Sequence, residues 1–487
     1  MKLDIKQIFA RRSVRHGGGA VALVALVLAF FYLINLILLG AANRFSWYFY
    51  TTEQYDLSIS GAADDLLNDI PTAAGKVKIV FCDLEDNVAV HKQLCDVYET
   101  ATGLAERYPD LIELSFVNMW LEPSRVAPYR VAEDGSENTL SNTTVIVDYN
   151  GSFMLNSASA FYTLDDKNYV TAYNGEEVFV ANILWVTAAE HPVAYFTANH
   201  GEEIPAALYR QLVAAGYRVE RIDLAAVPRI SEDAGMVIIS APVYDFQRSA
   251  ADSSYVSELT KLENYLADGG KLYVSLHPDH TAKTPRLTDF LASYGVTVES
   301  GVLIDRETSL PGSSGYSLIA DYAKSGMGAT LGGSAVIAGR RTVLSYTAPL
   351  AISDSPLATT EALLYSASSA ARLVDGRETG GGVIPLLTMS RMKTGKGMLL
   401  VSGSPFLADT AIMNGESYGN KELINALLIE MGAARVPVGI PAVQVNSTAI
   451  EDLSLGEADT YTAFAVAIIP AALLVGGLIY CRRRKNH

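Results

Sequence analysis

Two short segments carry the side chains best suited to chemistry. His200, Gly201 and Glu202 follow the apolar run PVAYFT at 192–197, and His277, Asp279 and His280 follow KLYVSL at 271–276. If both runs are strands of one parallel sheet, both loops emerge at its carboxyl edge, where ligand crevices form. Imidazole and carboxylate groups converging there would suit a divalent cation. The plainer reading is structural: His200 and Glu202 cap a helix start, and Asp279 sits in a turn after Pro278. These six residues are therefore candidates for a ligand or partner loop, with no catalytic, cofactor or metal role assigned. A hydrolase would need a nucleophile on a sharp strand–helix turn. After GMVIIS (235–240) the chain runs Ala-Pro-Val-Tyr, and Pro405 directly after Ser404 opposes such an elbow near Ser402 and Ser404. There is no GxxxxGK[ST] phosphate loop, so this chain is not expected to hydrolyse ATP itself. Cys82 and Cys95 are too far apart in sequence for a CxxC redox motif. They are a candidate disulfide in an oxidising compartment, or else two buried thiols.

The elements that must position these residues are legible as alternating strands and helices. Strand patterns lie at Lys76–Cys82, Leu111–Asn118, Thr143–Tyr149 and Ser152–Asn156, the last two joined by Asn150-Gly151, which suits a type I′ turn. Helical spacing covers Val88–Tyr108 and Glu176–Thr187. This order predicts a thioredoxin-like α/β domain without the redox motif. Strands at Pro192–Thr197, Tyr217–Leu224, Gly235–Ser240, Lys271–Leu276, Val383–Met389 and Gly397–Gly403 alternate with helices ending near Ala215, Ala267 and Met431. They predict a larger, doubly wound, mostly parallel sheet. Residues 305–335, rich in Gly, Ser and Ala, read as a loop-rich insertion.

The charge is segregated. The chain of 487 residues has 37 basic and 53 acidic side chains, a net of −16. Lys2, Lys6, Arg11, Arg12 and Arg15 lie at one end, and Arg482, Arg483, Arg484 and Lys485 at the other. Since Asp4 is the only acid beyond 42–460, the stretch between the ends carries 28 basic and 52 acidic residues, a net of −24. Such an acidic body argues against nucleic-acid binding. Each basic end adjoins an apolar run, Val21–Leu39 and Tyr461–Tyr480, long enough to cross a hydrocarbon core of about 30 Å. The first is also longer than the ~7–15 apolar residues of a signal peptide. Basic flanks favour the cytoplasm. The expected order is a cytoplasmic tail at 1–17, a membrane span at 18–41, and the thioredoxin-like domain at 42–190. The doubly wound domain follows at 191–435, then a linker at 436–460, a second span at 461–480 and a basic cytoplasmic tail at 481–487. This is a two-pass cell-membrane protein with both termini cytoplasmic and its bulk extracytoplasmic.

Several segments in this order carry a resemblance: YDLS at 55–58, ANILWVT at 181–187, YFTANHGE at 195–202, the stretch 268–276 around Asp268-Gly269-Gly270, GKGMLLVSGSPF at 395–406 and GNKELINALL at 419–428. Flanked by the two apolar runs, the series resembles GldG-type auxiliary components of ABC transporters, named for gliding motility. This chain has Ala198-Asn199 where the family pattern has Thr-Gly before His-Gly-Glu. The resemblance implies a non-catalytic accessory subunit, without a cofactor of its own. Its partners would be an ABC permease and an ATPase, membrane lipid, and an envelope or surface component. A stand-alone surface ligand-binding or sensor protein and a membrane-tethered hydrolase are the alternatives.

Overall fold

The computed structural model describes residues 57–445, apart from 73–74, 133–135, 165–169, 248–255, 335–336, 338, 416 and 434–435, together with Thr460. The expected spans at 18–41 and 461–480 lie outside the described residues. Among the described ones, no helix is long and apolar enough to cross a membrane. The fold is mixed α/β, and its described residues belong to one compact unit with two lobes.

The first lobe is built on four strands: β1 (Val77–Phe81), β2 (Ile112–Phe116), β3 (Val145–Tyr149) and β4 (Ser152–Asn156), in the spatial order β2-β1-β3-β4. β1 pairs parallel with β2 and antiparallel with β3, and β3 forms a hairpin with β4. Asn150 (φ 53°) and Gly151 (φ 92°) both take the left-handed region at the hairpin turn, as a type I′ turn requires. Alternate residues of β1 divide between the two faces. Val77, Ile79 and Phe81 face α1 (Cys95–Arg107) and α2 (Gly175–Thr187), while Val80 and Cys82 join a smaller cluster with Val117, Met119 and Val126. The single helix expected over 88–108 is broken. A short helix ends at Val90, His91 is extended, and α1 starts at Cys95. Cys82 and Cys95 carry free thiols, one buried in the smaller cluster and one half-buried at the start of α1. The candidate disulfide is therefore not formed. Burial pushes the Cys82 thiol up to about 11, which makes it a poor nucleophile.

Two further strands, β5 (Tyr162–Leu164) and β6 (Val170–Tyr173), precede α2. The second lobe then begins with β7 (Val193–Thr197), α3 (Ala206–Ala214), β8 (Arg218–Ile222), β9 (Ala234–Ser240), α4 (Glu258–Ala267), β10 (Lys271–Ser275) and α5 (Pro285–Ser293). It continues with β11 (Val296–Val298), β12 (Val302–Ile304), β13 (Ser317–Tyr322), β14 (Thr342–Ser345), β15 (Leu350–Ile352) and β16 (Ala358–Tyr365). It closes with β17 (Ala371–Val374), β18 (Arg377–Gly381), β19 (Pro385–Met392), β20 (Met398–Ser402) and α6 (Asn420–Glu430). Nine of these strands form one sheet, ordered β14-β13-β16-β19-β20-β10-β9-β7-β8. The five from β20 to β8 are parallel, whereas β19, β16, β13 and β14 join by antiparallel pairing. The mostly parallel sheet thus becomes a mixed one. The expected loop-rich stretch 305–335 contributes β13 and a short helix, Gly326–Gly332. Sheet pairing in this stretch overrides a composition that favours loops.

Helices cover both faces of the parallel half. Met236 and Ile238 of β9 pack with Leu208 and Leu212 of α3 and Leu423, Leu427 and Leu428 of α6. Val237 and Ile239 pack with Leu259, Leu262 and Leu266 of α4 and Phe290 and Leu291 of α5. Continuous apolar strands are what burial on both faces demands.

The start of the expected linker is packed structure. Val436 lies in the core of the second lobe and Ile440 in that of the first, and β21 (Val443–Gln444) pairs with β6. Leu57 and Ile59, at the other end of the described body, pack on that same first-lobe core, as do Val443 and Val445. The lobes meet where α2 packs on α3, and Lys421 of α6 donates to Glu177 of α2 with both side chains about nine-tenths buried.

Removing one partner of such a pair strands the other charge out of water. Lys421→Met is expected to lower unfolding free energy by about 3 kcal/mol, with Glu177→Gln/Lys421→Met recovering most of it. Denaturant midpoints of the full chain in micelles check this.

Candidate functional site

The order of the large sheet reverses at β7, whose neighbours are β8 on one side and β9 on the other. The loops after β7 and β9 diverge to α3 and α4 on opposite faces, which leaves a crevice outside the carboxyl ends of the strands. A cleft of about 430 Å³ occupies it, with Gly201, Val243, His277, His280, Phe406 and Asp409 among its lining.

His200 lies beneath this cleft, only 5% exposed. Its Nδ1 is 3.0 Å from Glu202 Oε1, its Nε2 is 3.3 Å from Glu258 Oε2, and its ring stacks on Phe246 at 3.8 Å. Thr197 Oγ1, at the end of β7, donates to Glu202 Oε1 at 2.8 Å, and Gln247 N donates to Glu258 Oε2 at 2.8 Å. Burial by itself would lower the His200 pKa. Hydrogen bonds and charge from Glu202 and Glu258 outweigh it and push the group up to about 9. Burial likewise opposes ionisation of Glu202 and Glu258, but bonding to His200 holds both below the ordinary carboxylate range. The result is a buried imidazolium clamped between two carboxylates.

This clamp fixes backbone. His200 O accepts from Val243 N at 2.7 Å and Tyr244 N at 2.9 Å, tying the loop after β7 to the loop after β9. Gly201 (φ 83°) is required twice over, since a Cβ there would also stand 2.9 Å from Val243 Cβ. Asn199 (φ 76°) and Ala241 (φ 49°) are left-handed beside it. A non-glycine residue such as Ala241 holds that conformation only where its surroundings impose it. Here Ala241 N donates to Ser275 O at 3.0 Å.

The HPDH segment contributes differently. His277 Nδ1 accepts from Asp279 N at 3.3 Å and caps the short helix Pro278–Thr281. Burial, with the neighbouring His280, lowers the His277 pKa, so its ring is neutral at pH 7. His277 and His280 stack at 4.8 Å and line the cleft, whereas the Asp279 side chain is 75% exposed. Beside them Tyr346 (φ 49°) stacks on Tyr316 at 4.9 Å and approaches His277 and Phe406 at 6.1 and 6.4 Å.

The structure therefore brings Gly201, His277 and His280 to one cleft, places His200 and Glu202 as its support, and leaves Asp279 outside. Among the described residues no group of three or more His, Cys, Asp or Glu is arranged to hold a metal ion, and both nitrogens of His200 are already engaged. Sequence reasoning missed Glu258, Phe246, Tyr316, Tyr346 and Phe406. Glu258 reads locally as an ordinary first-turn acid after the Ser257 cap, and the aromatic cluster of Tyr316, Tyr346 and Phe406 beside the cleft is assembled from loops distant in sequence.

No family model and no curated protein matches this chain. Among solved structures, it is similar to the mmIFT52 N-terminal domain at 17% identity, covering 49% of this chain and 97% of that one with a TM-score of 0.39. It is also similar to PurLQS from Thermotoga maritima at 10% identity, covering 49% and 100% with a TM-score of 0.29. A glutamine amidotransferase from Thermotoga maritima follows at 12% identity, covering 50% and 92% with a TM-score of 0.23.

The clamp sets a pH window. A His pKa raised from 6.5 to about 9 gives stability that is complete below pH 6.5 and fades as pH rises through 9. The lowered carboxylates give stability that is complete above their ordinary 4.5 and is lost on further acidification. His200→Gln is expected to cost about 3 kcal/mol near pH 6, and the gap to wild type should narrow above pH 9. Denaturant midpoints from pH 5 to 10 would expose a constant gap, which is incompatible with a charged clamp.

Proposed function

We propose that this chain is a non-catalytic, membrane-anchored accessory subunit of an ABC-type transport system. It would cross the bilayer at 18–41 and 461–480, keep both termini cytoplasmic, dock on a permease and present its body outside. In this reading the first lobe is a thioredoxin-like domain, consistent with its β2-β1-β3-β4 order, and the parallel half of the second is a doubly wound domain. The observation that carries the proposal is the shared exit. Leu57 and Ile59 at one end of the body, and Val443 and Val445 at the other, pack on one core, as suits two adjacent spans rising into a single lobe.

Docking is favoured over turnover by the state of the nucleophile positions. At the left-handed turn after β9 stands Ala241, which has no reactive atom. Ser402 and Ser404 are fully buried, with Ser402 Oγ donating to Ser404 O at 2.7 Å and Ser404 Oγ donating to Ser345 O. The rings of His277, His280 and Phe406 in the lining of the carboxyl-edge cleft give a second reading its footing: a stand-alone surface protein that binds a ligand there and needs no permease.

Purification of the full chain from native membranes separates the two. The first reading expects a permease and an ATPase to co-purify, and deletion of 18–41 or of 461–480 to abolish their recovery. Full complex formation by residues 57–445 alone would show that the spans do not dock. Recovery of the chain without either subunit would favour the stand-alone protein.

A further inference from the structure

One edge of the first lobe holds large apolar side chains that stand in the open. Trp120 is 78% exposed, Leu121 76%, Val90 82% and Leu84 47%. Sheet topology gathers them. β1 and β2 are adjacent and parallel. Leu84 and Val90 follow β1, and Trp120 and Leu121 follow β2, so all four leave the same carboxyl edge. Tyr98 links the two loops. Its hydroxyl donates to Glu85 Oε1 at 2.8 Å, and its ring lies 6.0 Å from that of Phe116, the last residue of β2.

The Trp120-Leu121 tip meets the demands of an apolar medium. Asn118 Oδ1 accepts from Trp120 N at 3.0 Å and from Leu121 N at 3.1 Å, and Glu122 N donates to Asn118 O at 2.8 Å. Three successive amides are thus satisfied within the loop, as lipid requires of any backbone that enters it. Met119, only 3% exposed, plugs the loop into the small core with Val117 and Val126. The first charge after the tip, Glu122, is matched by Arg125 at 2.9 Å.

The position of β21 says what this edge faces. β21 pairs with β6, and Val445 N donates to Thr171 O at 2.9 Å. β5 and β6 are held to the first turn of α1, where Tyr162 Oη donates to Asp96 Oδ2 at 3.1 Å and Tyr173 Oη to Asp96 O at 2.9 Å. That turn of α1 follows the loop after β1, so β21 lies toward the carboxyl edge. The segment 446–460, which leads to the expected span at 461–480, therefore starts near the edge that carries Trp120. An exposed apolar patch marks an interaction surface. Trp suits the boundary between headgroups and hydrocarbon, where one end of the indole is wet and the other apolar. Asp83, Glu85 and Asp86 lie in the loop after β1, with Lys92 the one lysine or arginine between 82 and 94. Their charge favours a zwitterionic over an anionic lipid surface.

We propose that the Trp120-Leu121 tip, together with Leu84 and Val90 on the same edge, inserts into the outer leaflet of the bilayer and lays the first lobe against the membrane. The occupant of the patch is lipid, met at the depth of about 5–10 Å that amphipathic surfaces reach. The inference rests on the two-span reading and adds an orientation to it.

The full chain with Trp47→Phe and Trp185→Phe keeps Trp120 as its one tryptophan. It can be placed in nanodiscs of phosphatidylcholine brominated either near the headgroup or at the chain ends. Bromine near the headgroup is expected to quench most of the Trp120 emission, and bromine at the chain ends or iodide in the buffer to quench little. Leu121→Ser should lower the lipid quenching at least twofold, since it removes half of the apolar pair at the tip. A thermal midpoint equal to that of the parent shows that each variant is folded. The difference between wild type and Trp120→Phe gives the same quantity with Trp47 and Trp185 in place. The proposal fails if iodide quenches Trp120 and neither bromine does, which leaves the tip in water. It fails equally if neither reaches Trp120, which puts protein over the tip. Flotation with phosphatidylcholine vesicles after an alkaline wash separates this from the two-span reading. A chain that floats with an unquenched Trp120 refutes the tip contact alone, and one that leaves the vesicles refutes the anchoring as well.

Discussion

The ion pair between Lys421 and Glu177 is the constraint on which the arrangement of the two lobes turns. Two opposite charges are held largely out of water, so parting the lobes forfeits an attraction that hydration of the separated charges offsets only in part, and removing one partner leaves the other buried and unpaired. The contact between α2 and α3 runs beside it. Because both ends of the described body belong to the first lobe and the carboxyl-edge cleft belongs to the second, any displacement arriving from the chain's ends reaches the cleft only through this seam. A charge pair is a directional fastening, unlike an apolar face that tolerates sliding, and it fixes the register of one lobe on the other.

The carboxyl-edge cleft shows a division of labour between a locked base and an open rim. His200 spends both ring nitrogens on carboxylates and its carbonyl on two backbone amides. It has nothing left to offer a substrate, and its charge holds two loops together. Of the groups that line the cleft, the His277 ring is neutral at pH 7 and Phe406 is apolar. The cleft thus lies over a floor held rigid by a buried charge cluster.

Much of this was legible in the sequence, and the limits have physical causes. The parallel strands β7, β9, β10 and β20 are continuous apolar runs, and burial on both faces leaves little room for another composition. Asn150-Gly151 announced its hairpin because few residue pairs accept two left-handed conformations in succession. The stretch from β11 to β18 was not legible. Several of its strands are only three or four residues long, and their identity comes from antiparallel partners distant in sequence: β11 pairs with β15 and β12 with β17 in small sheets of their own, while β13, β14 and β16 join the large one. His200 and Glu202 could be singled out as candidates from one loop, but Glu258, which completes the clamp, lies 58 positions from His200 in a segment that reads as an ordinary helix start. The aromatic cluster of Tyr316, Tyr346 and Phe406 exists only once distant elements meet, so no local pattern encodes it.

The return of β21 to β6 has a consequence for biogenesis. The first lobe is discontinuous in sequence: its core contains Leu57 and Ile59 from the start of the described body and Ile440, Val443 and Val445 from its end. A ribosome delivers the chain vectorially, and domains generally fold as they emerge. Here the earlier-made lobe must wait, with part of its apolar interior uncovered, until the whole of the later lobe has been synthesised. The last strand added is the one that seals the first domain begun, so a nascent chain truncated before it carries a finished second lobe on an unfinished base.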